Sequence, residues 1–263
     1  RAALFDGETA RAGDLLRTLK RRHPDEPIIG MLLSLTYYLQ GHVALSMREA
    51  SRGASLAQDG QPDLKLLLEL TNQSWREPTR NNDLLRRWSE LLERHDTPVA
   101  SVLYLTAARH LIGYPTLKSA LDKRMKEHPD WVILRMIELR MLEERKDLGA
   151  LLEAATVASV AHPASPELKV KRFSAMAQLG QLEASEIGLK DVLREEGDLT
   201  AARIVLADIY LRQDREAERL EQFVMLLSDT TPKIDQVNFL AAHGQRHADL
   251  GRLIDADKLW RFC

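Results

Sequence analysis

The chain has 263 residues, of which 44% are hydrophobic and 29% charged, a balance that excludes intrinsic disorder and is typical of a folded, water-soluble protein. Its 37 basic and 39 acidic side chains leave a net charge of −2, which excludes a general electrostatic attraction to nucleic acid or anionic membranes. Cys263 is the only cysteine, so the chain forms no internal disulfide and no multi-thiolate zinc site.

Apolar residues recur at helical spacing from one end of the chain to the other. The first predicted helix covers residues 8–22, where Ala10, Leu15, Leu16 and Leu19 lie at helical spacing. Later segments with the same pattern are 64–75, 82–95, 101–113, 132–145, 168–180, 202–213 and 217–228. No segment alternates with period two, so we predict an all-α protein of about fourteen helices joined by short turns. The densest apolar stretch, 28–41, is shorter than the roughly 20 residues that cross a bilayer.

Helix breakers divide the sequence into helix pairs of nearly constant length. The predicted pairs begin near residues 27, 62, 98, 130, 166, 198 and 232, and their spacing of 32 to 36 residues averages close to 34. Proline stands at most of these starts, where its missing N–H costs nothing. A helix pair repeating every 34 residues or so is the tetratricopeptide period.

The residues at these positions resemble those of the tetratricopeptide repeat family. Its pattern of a large, a small and an aromatic residue, followed by glycine at the turn, fits Leu33, Ser34, Tyr37 and Gly41. A second unit supplies Leu206, Ala207, Tyr210 and Ala217, and a third supplies Gly180 and Ala184 but has Met176 in place of the aromatic residue. Pro129, Pro163 and Pro232 match the proline that ends a repeat, whereas the units at 98–129 and 130–163 depart furthest from the pattern.

This resemblance implies a single right-handed α-solenoid of about seven antiparallel helix pairs over residues 1–263. The expected units lie near 27–61, 62–97, 98–129, 130–165, 166–197, 198–231 and 232–263, and a lone helix at 8–22 precedes them. Both ends of the sequence are without an obvious capping helix, so we expect it to be part of a longer chain with further flanking repeats.

Three His-Pro steps, at His23, His128 and His162, raise the question of a metal or catalytic site. Each is predicted at the end of a second helix but in a different unit, so the three cannot meet at one ion, and we expect them to cap helix ends. His243 and His247, four residues apart, could bind zinc with a third ligand, but two polar residues on a solvated helix face are the simpler interpretation. We therefore predict no enzyme activity, metal or cofactor.

Function is expected on the concave face lined by the first helix of each pair, where solenoids bind peptides or partner helices. The residues predicted to face this groove are Tyr38, Met31, Leu35, Arg109, Arg135, Arg172, Ser174, Gln178, Asp208 and Arg212. Locally basic segments such as 19–23 are predicted to be solvated outer faces, with a site for a polyanion or a phosphorylated partner as the alternative.

We predict a non-catalytic scaffold that binds a partner protein, with no nucleic acid partner and no membrane contact by this segment. The resemblance extends to bacterial envelope scaffolds that recruit periplasmic enzymes to exopolysaccharide export machines, which implies a periplasmic location and a role in biofilm formation. The alternative is a ligand- or peptide-sensing regulatory solenoid within a larger signalling or transcription protein.

Overall fold

The computed structural model describes residues 2–57, 62–76, 81–94, 97–107, 111–197 and 199–227, with the isolated positions 241–242, 244–245, 248–249 and 251. Within these residues the regular secondary structure is helical and contains no strand, which confirms the all-α prediction. The predicted unit at 232–263 lies outside the described residues, apart from those isolated positions.

The helices follow one another in short, similar segments. They are α1 (Ala2–Phe5), α2 (Thr9–Arg22), α3 (Pro27–Leu39), α4 (Val43–Leu56), α5 (Pro62–Arg76), α6 (Asn82–Arg94), α7 (Pro98–Ala107), α8 (Tyr114–Glu127), α9 (Val132–Arg145), α10 (Leu148–Ala161), α11 (Pro166–Gln178), α12 (Leu182–Glu196), α13 (Thr200–Arg212) and α14 (Glu216–Leu227). We call the first helix of each pair (α3, α5, α7, α9, α11, α13) a leading helix and the second a trailing helix. Four leading helices begin at the prolines that predicted them, because proline fits the first helical position.

The chain divides into two compact units, residues 1–168 and 169–263, and the boundary falls near the start of α11. In unit 1, helices that follow one another along the chain pack together, and α3 additionally contacts α7 and α9. In unit 2, the core joins Val170 and Ala177 of α11, Leu189 of α12, and Leu206 and Tyr210 of α13.

Among the described residues, the turn from a leading to a trailing helix has the same geometry four times. A residue with positive φ follows the helix end: Gly41 (89°), Lys146 (57°), Gly180 (84°) and Asp214 (56°). The N–H of the next residue then bonds back to a carbonyl in the last turn of the leading helix, as His42 does to Tyr37 at 2.8 Å and Arg215 to Tyr210 at 2.9 Å. This is the Schellman arrangement, which satisfies carbonyls that the helix end would leave open.

The three His-Pro steps form the opposite kind of corner, from a trailing helix to the next leading helix. His23, His128 and His162 each follow the last residue of a helix, with ψ of 69°, 68° and 68°. Their N–H groups close the helix on the carbonyls of Leu19, Arg124 and Ala158. A residue before proline avoids the helical region, so the helix ends there. The backbone thus closes these helix ends, whereas the prediction assigned the cap to the histidine side chains. The His162 Nε2 atom is buried without a hydrogen-bond partner, and the His128 ring stacks on Trp131 at 3.8 Å between ring centroids.

Candidate partner-binding surface

The leading helix α3 leaves little surface for a groove. Tyr38, Leu35 and Met31, which the sequence predicted to face the groove, are 0%, 1% and 3% exposed. The difference has a physical reason, because α3 is apolar on every side and packs against α2, α4, α7 and α9. The inner side of unit 1 is therefore filled by its own helices at this point.

The arginines predicted in unit 1 do not form a site together. The Arg135 guanidinium donates to the Glu138 carboxylate at 3.2 Å, and Glu138 in turn lies 3.1 Å from the Lys118 ammonium. Arg135 is thus part of an ion-pair network that joins α8 and α9. Arg109 lies outside the described residues.

On α9, two charged residues that were not predicted to face the groove, Arg140 and Glu144, occupy the positions equivalent to Leu35 and Leu39 of α3. Arg140 and Glu144 stand six and two residues before the turn residue Lys146, and their side chains lie 3.6 Å apart. Leu35 and Leu39 stand six and two residues before Gly41. Counting back from the turn residue would have identified Arg140 and Glu144. The Arg140 guanidinium lies over Gly41, where an added Cβ would meet it at 3.4 Å, so Arg140 also fills space inside unit 1, whereas Glu144 is exposed.

In unit 2, by contrast, the leading helices carry polar residues at the positions six and two residues before the turn residue. They are Ser174 and Gln178 before Gly180, and Asp208 and Arg212 before Asp214, and we call these four residues the polar strip. The Arg212 guanidinium pairs with the Asp208 carboxylate at 2.6 Å and donates to the Ala177 carbonyl at 3.1 Å, which brings α11 and α13 together. Gln178 donates to the Ser174 hydroxyl at 3.4 Å. About a third of the Arg212 side chain is exposed, and Gln178 is exposed.

The remaining predicted residue of unit 2, Arg172, is half-buried on α11. Its guanidinium carbon lies 5.3 Å from the centre of the Phe173 ring, a distance at which a cation is attracted to the aromatic face. The Phe173 ring in turn packs so closely on Gly188 of α12 that an added Cβ there would lie 2.1 Å from the ring. Arg172 therefore borders the contact between α11 and α12 rather than the polar strip.

An ion-pair network holds the end of α13 that carries the strip. Glu186 of α12 accepts hydrogen bonds from Lys190 at 2.7 Å and from Arg215 at 2.6 Å, and the Arg215 guanidinium lies 4.6 Å from the centre of the Tyr210 ring. Burial alone would raise the pKa of Glu186, but the hydrogen bonds from Arg215 and Lys190 outweigh it and lower that pKa. Glu186 and Arg215 are 29 residues apart, so sequence spacing gave no signal for this contact.

No cluster of metal ligands is found in the part of the chain that the structure describes. There, no three His, Cys, Asp or Glu side chains are grouped so that they could hold a metal ion. His243 and His247 lie outside the described residues. No helix within the described ranges has both the length and the apolar character needed to cross a bilayer.

A scan against protein-family models gave no match, and neither did a search of curated proteins.

Proposed function

We propose that this protein is a non-catalytic scaffold that binds a partner protein along the polar strip of unit 2. The observation that carries the proposal is the polar strip itself, which is ordered by its own hydrogen bonds and stays partly exposed. The corresponding leucines of α3 are buried. Side chains already held in one conformation lose little entropy when a partner binds, so an ordered strip favours recognition.

The chemistry of the strip suits a polar segment of another protein. The Gln178 amide offers both a donor and an acceptor, which match the N–H and C=O groups of an extended backbone. The Arg212 guanidinium has N–H groups in a planar fork beyond those that bind Asp208 and Ala177, and arginine is enriched at protein interfaces. The proposal therefore assigns main-chain contacts to Gln178 and a carbonyl or carboxylate to Arg212.

The scaffold is further proposed to be a superhelix of antiparallel helix pairs, as the tetratricopeptide resemblance implies. The repeated Schellman turns and His-Pro corners support this arrangement, because they place equivalent residues at equivalent positions of successive pairs. From the same resemblance we propose that the partner is a periplasmic enzyme recruited to a bacterial exopolysaccharide export machine.

The proposal is tested by affinity capture from an extract of the cells that make the protein, with partners quantified by mass spectrometry. The strip variant carries Asp208→Arg and Arg212→Glu, which keeps the net charge but exchanges the two charges. We expect its recovery of specific partners to fall about tenfold or more, since a reversed charge at an interface costs more than 1.4 kcal/mol.

A matched control exists on the trailing helix α12, where Asp191 and Arg194 form an exposed ion pair at 2.8 Å. The variant Asp191→Arg with Arg194→Glu makes the same exchange away from the strip and should recover partners as the wild type does. Circular dichroism of both variants checks that the fold is kept. Equal recovery by the strip variant and the control would contradict the proposed site.

A further inference from the structure

Five exposed arginines lie on helices α2, α4 and α5 of unit 1. Arg21 and Arg22 end α2, Arg48 and Arg52 lie on α4, and Arg76 ends α5. Two hydrogen bonds connect these helices near the arginines. The Arg52 guanidinium donates to the carbonyl of Pro24, two residues after Arg22, at 3.2 Å, and Arg76 donates to the hydroxyl of Ser51 at 3.2 Å. We call these five residues the arginine row.

Among the described residues, Arg21, Arg22, Arg52 and Arg76 form no ion pair with a carboxylate, and Arg48 pairs only loosely with one, Glu49, at 3.7 Å. Most other exposed arginines among the described residues pair with a carboxylate, as Arg11 does with Glu8 and Arg86 with Asp83. The Glu49 side chain is only 3% exposed and is bound by Lys20 at 2.5 Å, so its charge is already neutralised.

Two acidic residues, Asp25 and Glu26, are exposed in the turn after α2. The surface next to Arg21 and Arg22 therefore carries both positive and negative charges. Neither acidic residue forms an ion pair with an arginine of the row in the part of the chain that the structure describes. The row therefore presents several guanidinium groups to solvent from a chain whose net charge is −2.

We propose that the arginine row binds an acidic segment, rich in Asp and Glu, of a partner protein. Guanidinium groups bind carboxylates through two parallel hydrogen bonds, which gives geometric selection as well as charge. Arg52 and Arg76 are each held in place by a hydrogen bond to the protein. Two guanidinium groups in fixed positions match carboxylates that are spaced along a peptide. Single-stranded nucleic acid would need exposed aromatic side chains among the arginines for its bases to stack on, and aromatic residues make up only 5% of the chain.

This surface is separate from the polar strip, and its test is independent of the proposed scaffold function. The probe is a fluorescein-labelled peptide of about ten residues built from Glu, Asp and Ser, since helices about 10 Å apart make the row about 30 Å wide or less. A second peptide replaces each Glu and Asp by Gln and Asn. Binding is measured by fluorescence anisotropy at about 50 and about 200 mM salt, which changes the screening of exposed charges.

The row variant Arg21→Glu with Arg52→Glu is compared with the control Arg11→Glu with Arg194→Glu. Both lower the net charge by the same amount, but the control arginines lie outside the row and are already paired. We expect the acidic peptide alone to bind the wild type, more weakly at the higher salt concentration. We also expect the row variant to bind it about tenfold more weakly and the control to stay close to the wild type.

Several outcomes would overturn the inference. They are equal losses of affinity for the acidic peptide in the row variant and the control, equal binding of the two peptides, and no binding of the acidic peptide.

Vesicles of phosphatidylcholine with phosphatidylglycerol and an oligothymidylate serve as further probes. If either binds through the row while the acidic peptide does not, the row belongs to a membrane or a nucleic acid instead. The pair Arg21→Gln with Arg52→Gln repeats the test without introducing acidic groups, should the first variant lose its fold.

Discussion

The leading helices α3 and α13 share one register but differ in what they expose. In both, a leucine and a tyrosine four residues apart enter the core before a turn residue with positive φ. At the positions six and two residues before that turn residue, α3 has Leu35 and Leu39, both buried, whereas α13 has Asp208 and Arg212, both partly exposed. The repeat pattern thus specifies the helix pair and its turn, and the residues on the remaining face decide whether a leading helix is available to a partner.

The sharpest way to test this comparison is to truncate the same position in both helices. We expect Leu35→Ala to lower the free energy of unfolding by about 3 kcal/mol, because it leaves a cavity in a fully packed site. Asp208→Ala should lower it by less than about 1 kcal/mol, because it removes only a partly exposed ion pair. Urea unfolding followed by circular dichroism measures both, and a small loss for Leu35→Ala would mean that α3 lies open as the sequence predicted.

The sequence predicted those features of the fold that depend on a few neighbouring residues. Helix starts follow from proline, and the His-Pro corners follow from the restriction that proline imposes on the residue before it. Which leading helix is buried depends on contacts between distant segments, such as that of α3 with α9. The apolar character of residues 28–39, interrupted only by the small polar residues Ser34 and Thr36, did carry a signal, because a helix that is hydrophobic on all sides is buried. The ion pair between Glu186 and Arg215 had no such signal.

Acidification should affect the two units in different pH ranges. Burial, together with the charge of Arg135, lowers the pKa of His162 from 6.5, while Asp130 opposes the shift. The folded state therefore takes up this proton less readily than the unfolded state, so unit 1 loses stability as the pH falls below 6.5. The pKa of Glu186 is lowered from 4.5, so its contribution to unit 2 is present above pH 4.5 and is lost as the pH falls further.

Hydrogen exchange measured separately for amides of α10 and α12 distinguishes the two pH ranges. Between about pH 7.5 and about pH 5.5, protection of α10, corrected for intrinsic exchange, should fall less in His162→Gln than in the wild type, because the titrating group is gone. His23→Gln, at an equivalent corner with an exposed side chain, is the control. Identical pH dependence of α10 in the wild type and His162→Gln would remove His162 as the cause. For unit 2, Glu186→Gln should flatten the loss of α12 protection below pH 4.5.

The smallest expected difference concerns the turn residues with positive φ. Among the described residues, each unit has one such turn residue that is not glycine. Lys146 in unit 1 and Asp214 in unit 2 have φ of 57° and 56°, in the left-handed region. This conformation strains a residue with a Cβ, but aspartate tolerates it better because its short side chain can hydrogen-bond locally. We therefore expect Lys146→Gly to raise the free energy of unfolding by about 0.5 kcal/mol and Asp214→Gly to change it little, since glycine also gains entropy in the unfolded chain.

Thermal unfolding of the two variants beside the wild type measures this difference, and Gly149→Ala provides a reference. Gly149 lies in the first turn of α10, where an added Cβ would meet no atom closer than 4.0 Å, so alanine there should be stabilising through helix propensity alone. If Asp214→Gly raised the free energy of unfolding as much as Lys146→Gly, the aspartate side chain would not reduce the backbone strain at this turn. The four Schellman turns would then differ only by the presence of a Cβ, and the two units would be equivalent at their turns while differing on the faces of their leading helices.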